Sequence, residues 1–370
     1  MSSTTALPPT PRSPGLPSVG ARRKGPKQLP TLPLSAFSPP NTGTSERFPL
    51  APSPSTLHPE EIVDAHVIAP TGDLSSWKAQ AGQNLGGRIR ALVLSLHGAQ
   101  DIEKAIQDVS AASSSTPVLA IAVPFKLEDG VPAAPPSYLA PSSSSKPPIV
   151  LSATFSTSSQ PAIDALAWAL KQGFTVNIDI QSDLQQDSGW ESFEDFLTKA
   201  TASPDAKGKI ILSNILPPPD DLTIPIVKLL THPTYRSYQA HTASLSLFAN
   251  LFVNFLPPAW GAPTPPTPAP LADAHAHADA EKAAADADKL KKEWKRRLKM
   301  YIGPAIEAFG FQRVLFGSSP AALLTGTSPA SSAGDWYELA RESFAELGVE
   351  QEAIDAVFAQ NAKAVYGAES

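Results

Sequence analysis

The chain has 370 residues, a formal net charge of −6, no cysteine and 40 prolines. The lack of cysteine excludes disulfides, thiolate metal sites and a cysteine nucleophile. Residues 1–58 are basic, so the acid excess lies in the rest of the chain, which argues against a nucleic-acid surface. The longest apolar run, Leu245–Trp260, is interrupted by asparagine and proline and is too short to cross a bilayer. We therefore expect a soluble, cytoplasmic protein.

Residues 1–58 are rich in proline, serine and threonine and have no apolar periodicity, which predicts a disordered tail ahead of a folded region at 59–370. A basic, acid-poor start is also typical of an organelle transit peptide, although its prolines oppose the amphipathic helix such peptides form. Within it, Pro8–Arg12 matches a polyproline II ligand for an SH3- or WW-type partner.

Short apolar runs alternate with helical patterns from residue 60 onward. Helical periodicity recurs over Ile102–Val109, Ile163–Leu170 and Trp190–Ala200. This alternation predicts a parallel sheet, and eight units favour a closed (β/α)8 TIM-type barrel, although a doubly wound sheet fits the same pattern. The eight predicted strands are Ile62–Val67, Ile89–Leu96, Val118–Val123, Ile149–Phe155, Phe174–Ile180, Lys209–Ile215, Leu251–Leu256 and Arg313–Phe316.

Two proline-rich connections, at about 127–148 and 257–280, are too long for ordinary loops and are predicted to be insertions. A long helix follows the second insertion and runs through Trp294 to Met300, with a stripe of basic residues that predicts a solvent-exposed outer face. Helices are also predicted from Asp335 and near Glu350. We expect these last helices to cap the barrel wall.

Four segments resemble, in order, motifs of amidohydrolase-related proteins. Ile62–Val67 is similar to a first strand reading Ile-Asp-x-His-x-His, and Lys209–Asn214 is similar to a strand ending in Leu-Asp-His. Phe311–Pro320 resembles Gly-Pro-Asp-Arg-Val-Leu-Phe-Gly-Ser-Asp-Trp-Pro, and Val357–Gly367 resembles Ile-Phe-x-x-Asn-Ala-x-x-Leu-Tyr-Gly. The family includes 2-pyrone-4,6-dicarboxylate lactonase-like and decarboxylase-like members.

This resemblance implies a (β/α)8 barrel with a divalent metal, such as zinc, at the carboxyl ends of its strands. It also implies metal-assisted hydrolysis or decarboxylation. The ion lowers the pKa of bound water or polarises a carbonyl, and an aspartate on the last strand takes the proton.

The chain departs from the family pattern at the metal site. His66 stands at the first histidine, but Ile68 replaces the second, Asn214 replaces a later histidine, and Ser319 replaces the last-strand aspartate. Asp179 falls near the end of the fifth predicted strand, where many members carry another histidine. Isoleucine cannot ligate a metal, and a serine hydroxyl has neither the charge nor the basicity of a carboxylate.

Two functions remain open. One is a barrel with a degraded metal site and weak or no hydrolase activity that binds a small molecule or a partner. The other is an active metal-dependent hydrolase or lyase acting on a small carboxylate or lactone through a remodelled site. The remodelled site requires three residues to converge on one cavity, namely His66, Asp179 and His97. The candidate residues are Asp179 and Ser319 for catalysis, His66 and Asp179 for metal, and His97, Asn214 and Ser318 for ligand.

Asp273–His277 repeats the missing Asp-x-His-x-His pattern. No apolar strand precedes it, and it opens the alanine-rich stretch 272–287. This context predicts at most weak surface binding of a metal by His275 and His277.

Overall fold

The computed structural model describes residues 53–111, 116–139, 146–220, 222–267, 278–324 and 331–367. In these ranges the strands follow one another around a single sheet, β1 to β8 in sequence order, and the paired neighbours are parallel. This order confirms the (β/α)8 barrel over the doubly wound sheet, in which the strand order reverses. The strands are β1 Ile62–Ile68, β2 Ile89–Ser95, β3 Val118–Pro124, β4 Ile149–Phe155, β5 Val176–Ile180, β6 Ile210–Leu216, β7 Leu251–Phe255 and β8 Val314–Phe316.

Helices lie between most consecutive strands and continue after β8, whereas the described part of the β3–β4 connection has only the 3₁₀ turn Ser137–Leu139. The α-helices are α1 Ser75–Gly86, α2 Ile102–Ala111, α3 Gln160–Lys171, α4 Asp187–Ala200, α5 Ile226–Leu229, α6 Pro233–Leu245, α7 Ala278–Phe309, α8 Ala333–Ala345, α9 Gln351–Asp355 and α10 Asn361–Tyr366. A π-helical turn, Ala356–Gln360, joins α9 to α10. None of the helices in the described ranges is both long and apolar enough to cross a membrane.

The strands bury side chains on both faces, as parallel strands covered by helices do. A small inner cluster includes Val63, Ala65, Val93 and Leu315, and residues of α10 pack against it. The larger cluster lies between the sheet and the surrounding helices. Tyr366 of α10 donates its hydroxyl to Asn177 Oδ1 at 3.0 Å. The C-terminal helix therefore closes one end of the barrel and leaves the other end as its mouth.

The barrel closes where the end of β8 meets β1. The Ser319 N–H donates to the His66 carbonyl oxygen at 3.0 Å. A Cβ placed on Gly317 would lie 2.7 Å from the Cβ of His66, so only glycine permits this approach. The segment with the sharpest family resemblance thus forms the seam of the barrel.

The basic stripe of α7 is only partly the exposed face that the sequence predicts. Lys291 and Lys295 are 13% and 15% exposed and bind Glu342 of α8. Lys295 and Lys299 also bind Glu346. The stripe contributes to the α7–α8 interface because α8 supplies acidic partners that lie far away in the sequence.

Ordered contacts extend upstream of the predicted boundary at residue 58. Arg341 donates to the carbonyl oxygens of Pro54 at 3.2 Å and Leu57 at 2.8 Å. Pro54 and Leu57 thus contact α8, and the tail over residues 1–58 remains a prediction. The polyproline motif Pro8–Arg12 and the His275/His277 pair lie outside the described residues.

Candidate functional site

A bulge in β1 sets the position of His66 at the barrel mouth. Asp64 pairs with Leu92 and Val67 with Leu94, so β1 carries one extra residue here, a bulge of the kind that re-aims side chains. The His66 ring is 3% exposed, and its Nδ1 lies 3.2 Å from the Ser319 carbonyl oxygen. Since a carbonyl only accepts, Nδ1 is the donor and Nε2 remains an acceptor. Burial lowers the pKa of His66 against the opposing effect of the Asp179 carboxylate, which favours the neutral imidazole.

Asp179 ends β5 inside the mouth, as the sequence predicts. Its side chain is 5% exposed, and Oδ2 accepts from the Leu323 N–H at 3.1 Å. Leu323 belongs to a short 3₁₀ turn, Ala322–Leu324, which is preceded by the fully buried Ala321. The chain leaving β8 therefore folds over the mouth and occupies one oxygen of the carboxylate.

A cavity of about 140 Å³ remains at the mouth. His97, Thr154 and Asp179 line it, together with Ala322 from the covering segment, whereas His66 is not among its lining residues. Ligand sites for drug-sized molecules are usually about 300–1,000 Å³. Two of the three residues of the remodelled site thus share a cavity, and that cavity is about the size that holds one benzene ring.

The two predicted serines accept hydrogen bonds near the β8–β1 seam. Ser319 Oγ accepts from the Ile68 N–H at 3.1 Å, and Ser318 Oγ accepts from Trp77 Nε1 at 2.8 Å. Each hydroxyl satisfies a neighbouring donor of the protein itself. Their roles in catalysis and ligand binding remain predictions.

Asp64, which the sequence analysis did not single out, is the buried acid of this seam. It is fully buried, and Oδ1 accepts from the N–H groups of Ser318 at 2.9 Å and His66 at 3.1 Å. Burial raises the pKa of Asp64 to about 6, although these hydrogen bonds act in the opposite direction. The Asp-x-His spacing of Asp64 and His66, as in the family motif, was the signal that could have identified Asp64. Its hydrogen bond to the end of β8 could not be predicted, because it forms only when the barrel closes.

Asn214 lies on β6 in the left-handed region, with φ of 56°, which asparagine tolerates better than most residues. Its Oδ1 accepts from the Ile180 N–H at 3.0 Å, and its Nδ2 donates to the Ile180 carbonyl oxygen at 2.7 Å. The amide joins β5 to β6 where β6 departs from regular pairing. A ligand at Asn214 would compete with both bonds.

The side chains at the mouth do not fit a catalytic zinc ion. Within the described ranges, no three His, Asp or Glu side chains are placed to hold one metal. His66 and Asp179 supply two donors, and Asp179 already accepts from Leu323. Catalytic zinc sites usually use three protein ligands.

A second, larger cavity of about 390 Å³ lies beside the barrel, against the ends of β5 and β6. Its wall includes Ile180 and Asn214 at the strand ends, the loops that follow them, Leu229 of α5 and aromatic residues of α4, α6 and α7. Among its lining residues the sequence analysis named only Asn214 as a ligand candidate, because the other walls come from separate elements that meet only in the folded chain.

No family model and no curated protein matches this sequence. Among solved structures, the chain is similar to a zinc-bound amidohydrolase from Burkholderia multivorans (12% identity, 83% of this chain and 99% of that chain, TM-score 0.49). It is also similar to amidohydrolase 2 from Bifidobacterium longum subsp. infantis (12%, 83% and 98%, TM-score 0.45). A third similar structure is a resiniferatoxin-binding protein from Rhodobacter sphaeroides (10%, 85% and 92%, TM-score 0.43). These likenesses describe fold alone and assign no reaction to this chain.

Proposed function

We propose that this chain is an amidohydrolase-related barrel that has lost metal-dependent hydrolysis and binds a small molecule without transforming it. One observation carries the proposal. The segment after β8 occupies the mouth, and the Leu323 N–H binds Asp179 at 3.1 Å, where the family resemblance would place a metal and its water.

The chemistry of the remaining groups supports the same conclusion. Ser319 replaces the expected proton acceptor, and its hydroxyl binds the Ile68 N–H. A serine hydroxyl is a poor general base without a basic partner. In the described part of the chain, the mouth therefore has neither a sufficient ligand set nor the carboxylate on β8 that would take a proton from water.

Zinc titration of chelator-treated full-length protein tests the proposal. We expect no one-to-one site that depends on His66, and no zinc-stimulated hydrolysis of 2-pyrone-4,6-dicarboxylate. The His275→Ala/His277→Ala double variant is the matched control, because it removes weak zinc binding by that pair and leaves the mouth intact. A stoichiometric site that survives in this control and disappears in His66→Ala would establish the alternative, an active metal-dependent hydrolase or lyase.

A further inference from the structure

We propose that the 390 Å³ cavity beside β5 and β6 is a binding site for an uncharged aromatic molecule that carries a hydroxyl group. The inference names the site and ligand class of the proposed small-molecule binding, and so rests on that function. The cavity reaches the surface near Asp183 and Gln185, which are exposed, and ends against buried Tyr235 and Tyr238. It is thus a pocket with an opening and an apolar interior.

Tyr235 and Tyr238 line the cavity, and their hydroxyls are hydrogen-bonded within the protein, which leaves their rings to face a ligand. Tyr235 donates to the Met300 carbonyl oxygen and Tyr238 to the Tyr301 carbonyl oxygen, each at 2.8 Å. Pro304 lies four residues after Met300 in α7, and proline has no N–H to bind that carbonyl. Tyr235 thus satisfies an acceptor that the helix leaves open, which holds the ring in place.

The three tyrosine rings form one cluster. Tyr301 makes edge contacts with Tyr235 and Tyr238, with centroids 5.8 and 5.2 Å apart. Burial and the neighbouring Asp220 raise the pKa of Tyr301, so it remains a neutral phenol. Offset and edge-to-face contacts with such rings favour an aromatic ligand over an aliphatic one.

Two buried polar atoms of lining residues are unpaired, and rotation of either side chain would turn the atom toward a ligand. Ser182 and His232 line the cavity, and Ser182 Oγ and His232 Nδ1 are buried without a hydrogen-bond partner among the described residues. Buried polar atoms in folded proteins are nearly always paired. A hydroxyl group donates and accepts at once, and so suits a serine hydroxyl and an imidazole nitrogen.

Charge selects against an anionic ligand. The described residues lining the cavity include Asp183 and Asp220 but no Lys or Arg. Arg297 pairs with Asp220 at 2.6 Å and donates to the Ile224 carbonyl oxygen. This pair fixes the loop after β6 against α7, so one wall of the cavity is formed before a ligand arrives.

The size of the cavity admits two fused rings. An apolar cavity of about 150 Å³ is enough to hold benzene, and this cavity measures about 390 Å³. We therefore choose 2-naphthol as the probe. Naphthalene serves as the analogue without a hydroxyl, and 2-naphthoate as the anionic analogue.

Calorimetric titration of the full-length protein at pH 7 tests the site. We expect one 2-naphthol per chain, weaker binding of naphthalene and no binding of 2-naphthoate. His232→Phe and Ser182→Ala should each weaken 2-naphthol binding about tenfold, since each removes one buried hydrogen bond. The control Asp108→Asn, at an exposed position of α2, should leave the affinity unchanged.

Four results would overturn the assignment: no 2-naphthol binding by folded protein, affinity unaltered in both cavity variants, loss of binding in Asp108→Asn, or equal binding of 2-naphthoate. Thermal melts establish that each variant is folded. Failure here is distinct from failure of the proposed loss of hydrolysis, because the zinc titration reports on His66 at the mouth. An active zinc hydrolase could coexist with either outcome of the 2-naphthol titration.

Discussion

The buried Asp64 makes a specific prediction about pH. Its pKa is about 6 in the folded chain against an ordinary value of 3.8, because burial disfavours the carboxylate. The folded state therefore holds the proton more tightly than the unfolded state. This contribution to stability is fully present below pH 3.8 and is lost as the pH rises through 6. At about 1.36 kcal/mol per pKa unit, the loss is roughly 3 kcal/mol.

Asp64→Asn isolates this contribution. The amide oxygen can accept from the Ser318 and His66 N–H groups as the carboxylate does, but it does not ionise. We expect the free energy of unfolding of the variant, relative to wild type, to rise by roughly 2 kcal/mol between pH 4 and pH 7, since part of the effect is already lost at pH 4. Urea unfolding followed by tryptophan fluorescence across that range measures the difference.

The exposed Asp108 provides the control, since Asp108→Asn should leave the pH profile of wild type almost unchanged. A difference between Asp64→Asn and wild type that stays constant from pH 4 to pH 7 would refute the reasoning. So would a difference that falls with pH, because it would mean that the hydrogen bonds to Asp64 outweigh its burial.

Two further predictions concern Asn214, which joins β5 to β6, and Tyr235, which binds the α7 carbonyl that faces Pro304. Asn214→Ala should lower the free energy of unfolding by about 3 kcal/mol, because it removes two hydrogen bonds and places alanine in the left-handed region. Asn214→Gly should cost about 1 kcal/mol less, because glycine adopts that region without strain. Equal losses for the two variants in urea unfolding would contradict this. Tyr235→Phe should cost about 1–3 kcal/mol by leaving the Met300 carbonyl unpaired. In a Pro304→Ala background the new N–H can bind that carbonyl, so a double-mutant cycle should show a smaller cost, and strict additivity would rule out this account of Tyr235.

The barrel was predictable because its signals are local. Each strand is a short apolar run, and each helix between strands has its own periodicity, as in Ile163–Leu170. The position of Asp179 at the mouth followed from the same logic, since parallel strands end at one face of the barrel. Local patterns therefore predicted the end of the barrel at which Asp179 lies, whereas its functional role remains a prediction.

What the sequence did not predict depends on long-range contacts. The bond from Leu323 to Asp179 spans 144 residues, and nothing in either segment specifies it. The pairing of Lys295 with Glu346 depends on how α7 packs against α8. The cavity beside β5 and β6 depends on loops and helices that become neighbours only in the folded chain.

The metal content of the purified full-length protein tests the central claim most directly. The account predicts far less than one divalent metal per chain in the His275→Ala/His277→Ala control, with a melting temperature unchanged by a chelator. One tightly bound metal per chain, removed by the chelator with a fall in melting temperature and absent from His66→Ala, would contradict it.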